Sequence, residues 1–114
     1  MDHSFEIVIK ENIHSMFIGI SGLIRKEDLH QFESTLLKIE AVKEISTFIF
    51  DLTLLEEAPL LVTSVLMLMQ MEARKKGRVY CMPPLNHLKM ELSKFGVIRD
   101  SETMPIEVPI FSPT

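Results

Sequence analysis

The sequence predicts an α/β layer structure with the element order ββαβαβα(β). Two β-branched runs come first, and only four residues separate them, which is typical of a hairpin. From about residue 26 the apolar period changes from two residues to 3.6, the period of a helix. Strand and helix patterns then alternate, which favours right-handed crossovers between parallel strands.

The first half of the chain predicts a hairpin, a helix and a central strand. The hairpin strands are expected at residues 5–10 and 15–21. Residues 47–52 are apolar on both faces, as in a central strand that helices cover. A short loop is expected at 54–57. The apolar residues that mark one face of the first helix are Leu29, Phe32, Leu36 and Ile39.

The second half predicts two further helices and two short strands. Residues 60–76 contain neither glycine nor proline and end in three cations before Gly77, as a helix with a glycine end does. A short strand is expected at 78–82, and residues 97–99 can form a last one. The apolar face of the third helix is formed by Leu85, Leu88, Leu92 and Phe95.

Composition excludes several classes of protein. The chain has 114 residues, 12 Lys and Arg and 16 Asp and Glu, and a formal charge of −4. It fits one domain, and its acidity argues against binding nucleic acid through phosphate neutralisation. No apolar run is long enough to span a bilayer, and the first residues lack the pattern of a signal peptide. The lone cysteine, Cys81, excludes an internal disulfide and suits a reducing cytosol. We therefore expect a cytoplasmic domain.

No catalytic or cofactor-binding constellation is visible. None of the four glycines belongs to a phosphate-binding loop, and Ser21 and Ser64 lack the context of a nucleophile. Cys81 lies inside an apolar strand and is interpreted as a buried apolar residue. We expect no enzymatic activity, no cofactor and no metal. The four histidines, which lack metal-ligand spacing, are His3, His14, His30 and His87.

The second helix is more apolar than a single covered face requires. Between residues 58 and 69 only Thr63 and Ser64 are polar. One interpretation is burial on every side. The other is that part of the helix offers apolar surface to a partner, for which adaptable methionines are suitable.

The last residues break the alternation of strands and helices. We predict a single domain over residues 1–103 and an extended tail over 104–114, because three prolines exclude a helix there. The apolar side chains of the tail fall on alternate residues, as in a half-buried extended segment. We expect the tail to pack on a preformed apolar surface, supplied by the second helix of its own domain or of a neighbouring copy. These apolar residues are Met104, Ile106, Val108 and Ile110.

The order of several short motifs gives the chain a family resemblance from about residue 5 to residue 100. These motifs are Ile18-Gly19-Ile20-Ser21-Gly22, Phe48-Ile49-Phe50-Asp51-Leu52-Thr53, Ala73 to Cys81, and Pro84-Leu85 to Phe95-Gly96-Val97. Together they resemble the STAS domain of bacterial anti-sigma-factor antagonists and of sulphate-transporter tails. The resemblance implies a four- or five-stranded mixed sheet with helices mainly on one face. It also implies partner switching rather than catalysis.

The chain departs from the family where such antagonists are phosphorylated. Relatives carry a serine or threonine at the start of the second helix, but residues 58–61 here have no hydroxyl. Thr63 and Ser64 follow one helical turn later, where access for a kinase would be poor. Glu56 and Glu57 precede the helix. They supply either a permanent negative charge in place of the phosphate or ordinary electrostatic stabilisation of a helix start.

The resemblance implies a protein-interaction module of the anti-sigma-factor antagonist type without the usual phosphoserine switch. Its partner would be an anti-sigma factor, a kinase-like regulator or another STAS protein, and a homodimer is possible. The alternative is a STAS-like small-molecule or lipid-binding module, or a subunit of a lipid-transport complex. It would have a pocket between the second helix and the tail, lined by Met67, Met71 and Ile106. The expected partner-binding residues are Leu54, Leu55, Glu56, Glu57, Ala58, Pro59, Leu60 and Leu61.

Overall fold

The computed structural model describes residues 5–104, and within this range the chain forms five strands and three helices. The tail prediction for residues after Met104 lies outside the described residues. Two 3-10 turns, Lys26–Asp28 and Asp100–Glu102, precede the first helix and follow the last. The strands are β1 (Phe5–Glu11), β2 (Ser15–Leu23), β3 (Thr47–Asp51), β4 (Leu55–Glu57) and β5 (Arg78–Met82), and the helices are α1 (Leu29–Ala41), α2 (Leu60–Lys76) and α3 (Leu88–Lys94).

The five strands form one mixed sheet with the order β1-β2-β3-β5. β1 is antiparallel to β2, as predicted for the hairpin, whereas β3 and β5 continue the sheet in parallel. The short β4 also pairs with β2 in parallel, beyond the end of β3, and this pairing contains a register shift between Gly22 and Leu23. The predicted α/β class with a mixed sheet is confirmed.

Side chains on alternate positions of the sheet have very different environments. Met16 and Ile18 of β2, and Phe48 and Phe50 of β3, are fully buried beneath the helices. The alternate residues of the same strands, such as Ile49, are only half-buried. Since successive strand residues point to opposite faces, the helices cover one face of the sheet and leave the other without a helical layer.

The segment predicted as a loop at 54–57 contains β4. The N–H of Gly22 donates to the carbonyl of Leu54 at 2.9 Å, and the N–H of Ile24 donates to Glu57 at 3.0 Å. Only the folded chain brings this segment beside the end of β2. Its strand character therefore comes from this pairing.

The last strand, expected at 97–99, does not form. The N–H groups of Val97 and Ile98 both donate to the carbonyl of Leu92, at 3.0 and 3.4 Å, and so close the end of α3. Gly96 makes this turn possible with a φ of +80°. The donors that a strand would need are used by the helix end, so the prediction was wrong. The sheet instead gains an isolated parallel bridge between Thr103 and Cys81.

The third helix is shorter than its apolar pattern indicates. Leu85 and Phe95 were expected on its buried face, but both are exposed and lie outside α3. The helix begins only at Leu88, whose N–H donates to the side-chain oxygen of Asn86 at 2.9 Å. The side-chain nitrogen of Asn86 donates to the carbonyl of Leu55 at 3.0 Å. The segment before α3 is thus held against β4.

Gly77 joins α2 to β5 at a place with no room for a side chain. Its N–H donates to the carbonyl of Ala73 at 3.0 Å, which is the last hydrogen bond of the helix. The next N–H, that of Arg78, donates to the carbonyl of Ser46 at 2.9 Å. A Cβ atom on Gly77 would overlap the backbone carbonyl of Ser46. The glycine predicted as the helix end is therefore required for the close approach of two backbone segments.

We expect Gly77→Ala to lower the free energy of unfolding by about 1–3 kcal/mol, because the backbone at Ser46 must move to accept the methyl group. Urea unfolding followed by circular dichroism measures the loss. Gly96→Asn is the matched control. Position 96 has free space for a Cβ, and asparagine tolerates a positive φ, so its loss should stay below about 1 kcal/mol. Equal midpoints for Gly77→Ala and the unsubstituted protein would contradict the packing argument.

Candidate functional site

The loop from β3 to α2 lies at the carboxyl edge of the parallel strands. The N–H of Leu52 donates to the carbonyl of Met82 at 2.9 Å and ties the loop to the end of β5. The Asp51 carboxylate accepts both the N–H and the hydroxyl of Thr53, at 3.1 and 2.7 Å. The N–H of Leu55 donates to Leu52 at 3.1 Å and completes a tight turn. The start of this loop is therefore fixed by hydrogen bonds.

The end of the loop is held from two further sides. β2 pairs with its backbone through the hydrogen bonds to Leu54 and Glu57, and Asn86 binds the carbonyl of Leu55. A surface on this loop is preformed, so binding costs little additional conformational entropy.

The eight residues predicted to bind a partner separate into exposed and buried positions. Leu54, Leu60 and Leu61 have large exposed side chains. Glu56 and Glu57 are also exposed, and Ala58 and Pro59 are half-buried. Leu55, in contrast, is fully buried in the core. It positions β4 and contributes no side-chain surface.

The exposed apolar surface continues along α2. One side of this helix, including Val62, Leu66 and Met69, is buried against the sheet. The outer side is exposed, so the described residues do not bury the helix on every side. Exposed fractions range from 44% for Leu68 to 68% for Leu54. We call the following residues the apolar ridge: Leu54, Leu60, Leu61, Leu68 and Met71.

The two hydroxyls of α2 are both bonded to helix carbonyls. Thr63 is buried, and its hydroxyl donates to Pro59 at 3.2 Å. Ser64 is exposed beside the apolar ridge, and its hydroxyl donates to Leu60 at 3.1 Å. Neither hydroxyl lies before the helix, where a phosphate would meet free backbone N–H groups.

The amino end of α2 has negative charge near it. Pro59 occupies the cap position, and its side chain makes no capping hydrogen bond. Glu56 and Glu57 are exposed on β4, shortly before the first turn of α2. Negative charge is favourable near the amino end of a helix.

Cys81 is buried as the sequence predicts. Its side chain is fully inaccessible on β5. Burial raises the pKa of its thiol to about 12, and the negative charges of Glu102 and Asp51 add to the shift. The thiol therefore stays protonated and is a poor nucleophile.

Two of the three cations in the last turn of α2, Arg74 and Lys76, contact other parts of the fold. Arg74 makes two parallel hydrogen bonds to the Glu102 carboxylate, at 2.7 and 2.8 Å. The Lys76 ammonium donates to the carbonyls of Glu40 and Val42, at 2.8 and 2.7 Å, and so satisfies the end of α1. These two cations therefore stabilise the fold through contacts with distant parts of the chain.

The face of the sheet without helices carries two grooves that the sequence did not indicate. The larger encloses about 540 Å³. It is lined by the apolar side chains of Phe17, Ile49 and Met82 and by polar residues including Lys10 and Asp51. The smaller, of about 220 Å³, shares Phe17 and Asp51 with it.

The pocket expected beside α2 is not one of these two grooves. Met67 is half-buried and Met71 is exposed, and neither lines them. Ile106, the third expected residue, lies outside the described range. Among residues 5–104, no three His, Cys, Asp or Glu side chains are close enough to hold a metal ion. No helix in this range has both the length and the apolar character needed to cross a bilayer.

Comparison with known proteins finds solved structures with a similar fold. No family model and no curated protein matches the sequence. Among solved structures, the chain is similar to the Bacillus cell-fate determinant SpoIIAA in its phosphorylated form, with a TM-score of 0.67 and 13% identity over 89% of each chain. For unphosphorylated SpoIIAA, described as an anti-sigma-factor antagonist, the TM-score is 0.64 at 16% identity, over 89% of this chain and 86% of that one.

A STAS domain of an antisigma-factor antagonist from Rhodobacter sphaeroides is a more distant match, with a TM-score of 0.48 and 11% identity over 68% of this chain and 85% of that one. The chain has the STAS-like fold of anti-sigma-factor antagonists. In particular, it shares the overall architecture of SpoIIAA.

We expect Cys81 to react with a neutral thiol reagent only after unfolding, because the folded thiol is both buried and protonated. As the only cysteine, it gives an unambiguous signal.

We also expect the free energy of unfolding to fall as the pH rises from about 8.5, the usual pKa of an unfolded thiol, towards 12. In this range the unfolded thiol loses its proton while the folded one keeps it, so deprotonation favours the unfolded chain.

Urea unfolding across this pH range measures the effect, and Cys81→Ala is the control for other groups that titrate there. The variant should lose less stability with rising pH than the unsubstituted protein. Rapid labelling of the native protein, or identical pH dependence for both proteins, would contradict the assignment.

Proposed function

We propose that the protein is a non-enzymatic interaction domain of the anti-sigma-factor antagonist type, which binds a protein partner in the cytoplasm through the apolar ridge. The observation that carries this proposal is a run of large exposed apolar side chains on a hydrogen-bonded loop and the adjoining helix. The same fold in SpoIIAA, an anti-sigma-factor antagonist, supports the class of function.

The composition and support of the ridge favour a protein partner. Five large aliphatic side chains remain in water, and burying one such side chain contributes about 1.5–3 kcal/mol. Leu54 lies on the fixed loop, whereas Leu68 and Met71 lie on the rigid helix, so the surface changes little on binding. The exposed carboxylates of Glu56 and Glu57 lie beside it and would select a partner with a basic rim.

The proposed mode of binding has no phosphoserine switch. Residues 58–61 have no hydroxyl, Thr63 is buried, and Ser64 lies within the helix. The two glutamates keep a constant negative charge before α2. Binding would then be controlled by the amount or state of the partner, which could be an anti-sigma factor, a kinase-like regulator or another STAS protein.

We expect Leu60→Gln to weaken partner binding by about tenfold or more, because a central apolar contact typically contributes over 1 kcal/mol. Leu37→Gln on α1 is the matched control, since Leu37 and Leu60 are 63% and 64% exposed. Both variants should fold, since glutamine suits a helix. The tagged proteins are purified from native cells, and retained proteins and extracted lipids are identified by mass spectrometry. Affinity is then measured by calorimetry.

The proposal requires one protein that the unsubstituted chain and Leu37→Gln retain and that Leu60→Gln loses. Equal retention by the two variants would exclude the ridge as the contact surface. Recovery of a stoichiometric lipid without a protein would favour the small-molecule alternative.

We expect a serine kinase of the antagonist-regulating type to modify Ser64 slowly and Thr63 not at all. The Ser64 hydroxyl is bonded inside a helix, and kinases need an extended backbone around the acceptor. A phosphate there would also lie among apolar side chains and destabilise the fold. Intact-mass analysis over time measures the modification, with Ser64→Ala as the control. Rapid stoichiometric phosphorylation that is lost in this control would restore a phosphoswitch.

A further inference from the structure

The helix-free face of the sheet has an apolar centre that lies in a concave groove. Phe17 and Ile49, in the middle of β2 and β3, are half-buried there, and Met82 lines the groove at the end of β5. Its volume of about 540 Å³ is within the range of sites that hold a ligand or a peptide segment. Exposure of apolar surface to water costs free energy, so a segment that covers the groove would be stabilised there.

The described chain ends at the rim of this groove. Thr103 forms a parallel bridge with Cys81, and the N–H of Met104 donates to the Cys81 carbonyl at 2.9 Å. The residue after Cys81 is Met82, which lines the groove. Residue 104 is thus fixed on the outer edge of β5, one position from the apolar lining.

The ten residues that follow are long enough to cross the face. Extended, they reach about 33 Å, at roughly 3.3 Å a residue. The distance from β5 to β1 is three strand spacings, or about 14 Å. Since the segment is tethered at the rim, its effective concentration at the groove is in the millimolar range.

The sequence of this segment suits the groove. Ile106, Val108 and Ile110 occur at a period of two, so an extended backbone places all three on one side. The prolines at 105 and 109 favour that extended backbone and lower the entropy lost on docking.

We propose that residues 105–114 dock in the groove of the helix-free face, with the side chains of Ile106, Val108 and Ile110 against Phe17, Ile49 and Met82. The tail then covers apolar sheet surface and leaves the apolar ridge open. This inference goes beyond the proposed function and does not depend on it.

A single tryptophan tests the placement, because the chain contains none. In the full-length Val108→Trp variant, the emission should be blue-shifted and protected from acrylamide relative to the same protein in urea. Adding Ile49→Gln in the groove should move emission and quenching towards the unfolded values. Adding Leu68→Gln on the apolar ridge should leave them unchanged. Circular dichroism checks the fold, and Ile49→Thr, which keeps the preference for a strand, replaces Ile49→Gln if that variant unfolds.

Native emission equal to that in urea would overturn the proposal, since the tail would then be in water. Release by Leu68→Gln but not by a substitution at Ile49 would place the tail on α2 instead. A blue shift lost on dilution, together with dissociation of a dimer in sedimentation, would assign the groove to the tail of a second copy. A shift that persists on dilution and responds only to Ile49 supports docking within one chain.

Discussion

The parallel pairing of β2 with β3 is the contact on which the rest of the structure depends. Both strands bury their alternate side chains completely beneath the helices, and Phe48 and Phe50 supply the largest of them. Because a parallel partner requires a crossover, α1 must pass over this face, and α2 must do so again before β5. The same pairing brings the ends of β2 and β3 to one edge, where the loop to α2 begins.

That edge combines rigidity with exposed apolar surface. The loop after β3 is bonded to β2, to β5 and to Asn86, so its backbone groups are satisfied by the fold. Its outward side chains, and those on the outer side of α2, make no comparable contribution to the core. A folded domain that keeps such side chains in water has a surface suited to association.

Apolar residues on the two faces of the sheet are buried to different extents. The helix side is fully buried and supplies the stability of the domain. The other side has a smaller apolar centre around Ile49, bordered by polar residues such as Lys10 and Asp51. A segment with a few apolar side chains at a period of two could cover such a centre, whereas a helix would meet its charged border.

Local patterns in the sequence determined most of the elements. A run without glycine or proline that ends in three cations and Gly77 predicted α2 with its observed bounds. The β-branched runs predicted the hairpin, and a run that is apolar on both faces predicted β3. The resemblance also predicts a partner-binding site at residues 54–61, which stays a prediction. The elements depend on neighbours within one or two turns of the chain, so a sequence contains the necessary information.

Tertiary structure alone decided the features that depend on distant partners. Leu55 is buried because β4 pairs with β2, more than thirty residues earlier in the chain. The groove beside Ile49 exists because the helices cover only one face of the sheet. One side of α2 is exposed because the helix buries only its opposite side against the sheet. An apolar residue is equally compatible with a core and with a binding surface, and only the packed fold decides between them.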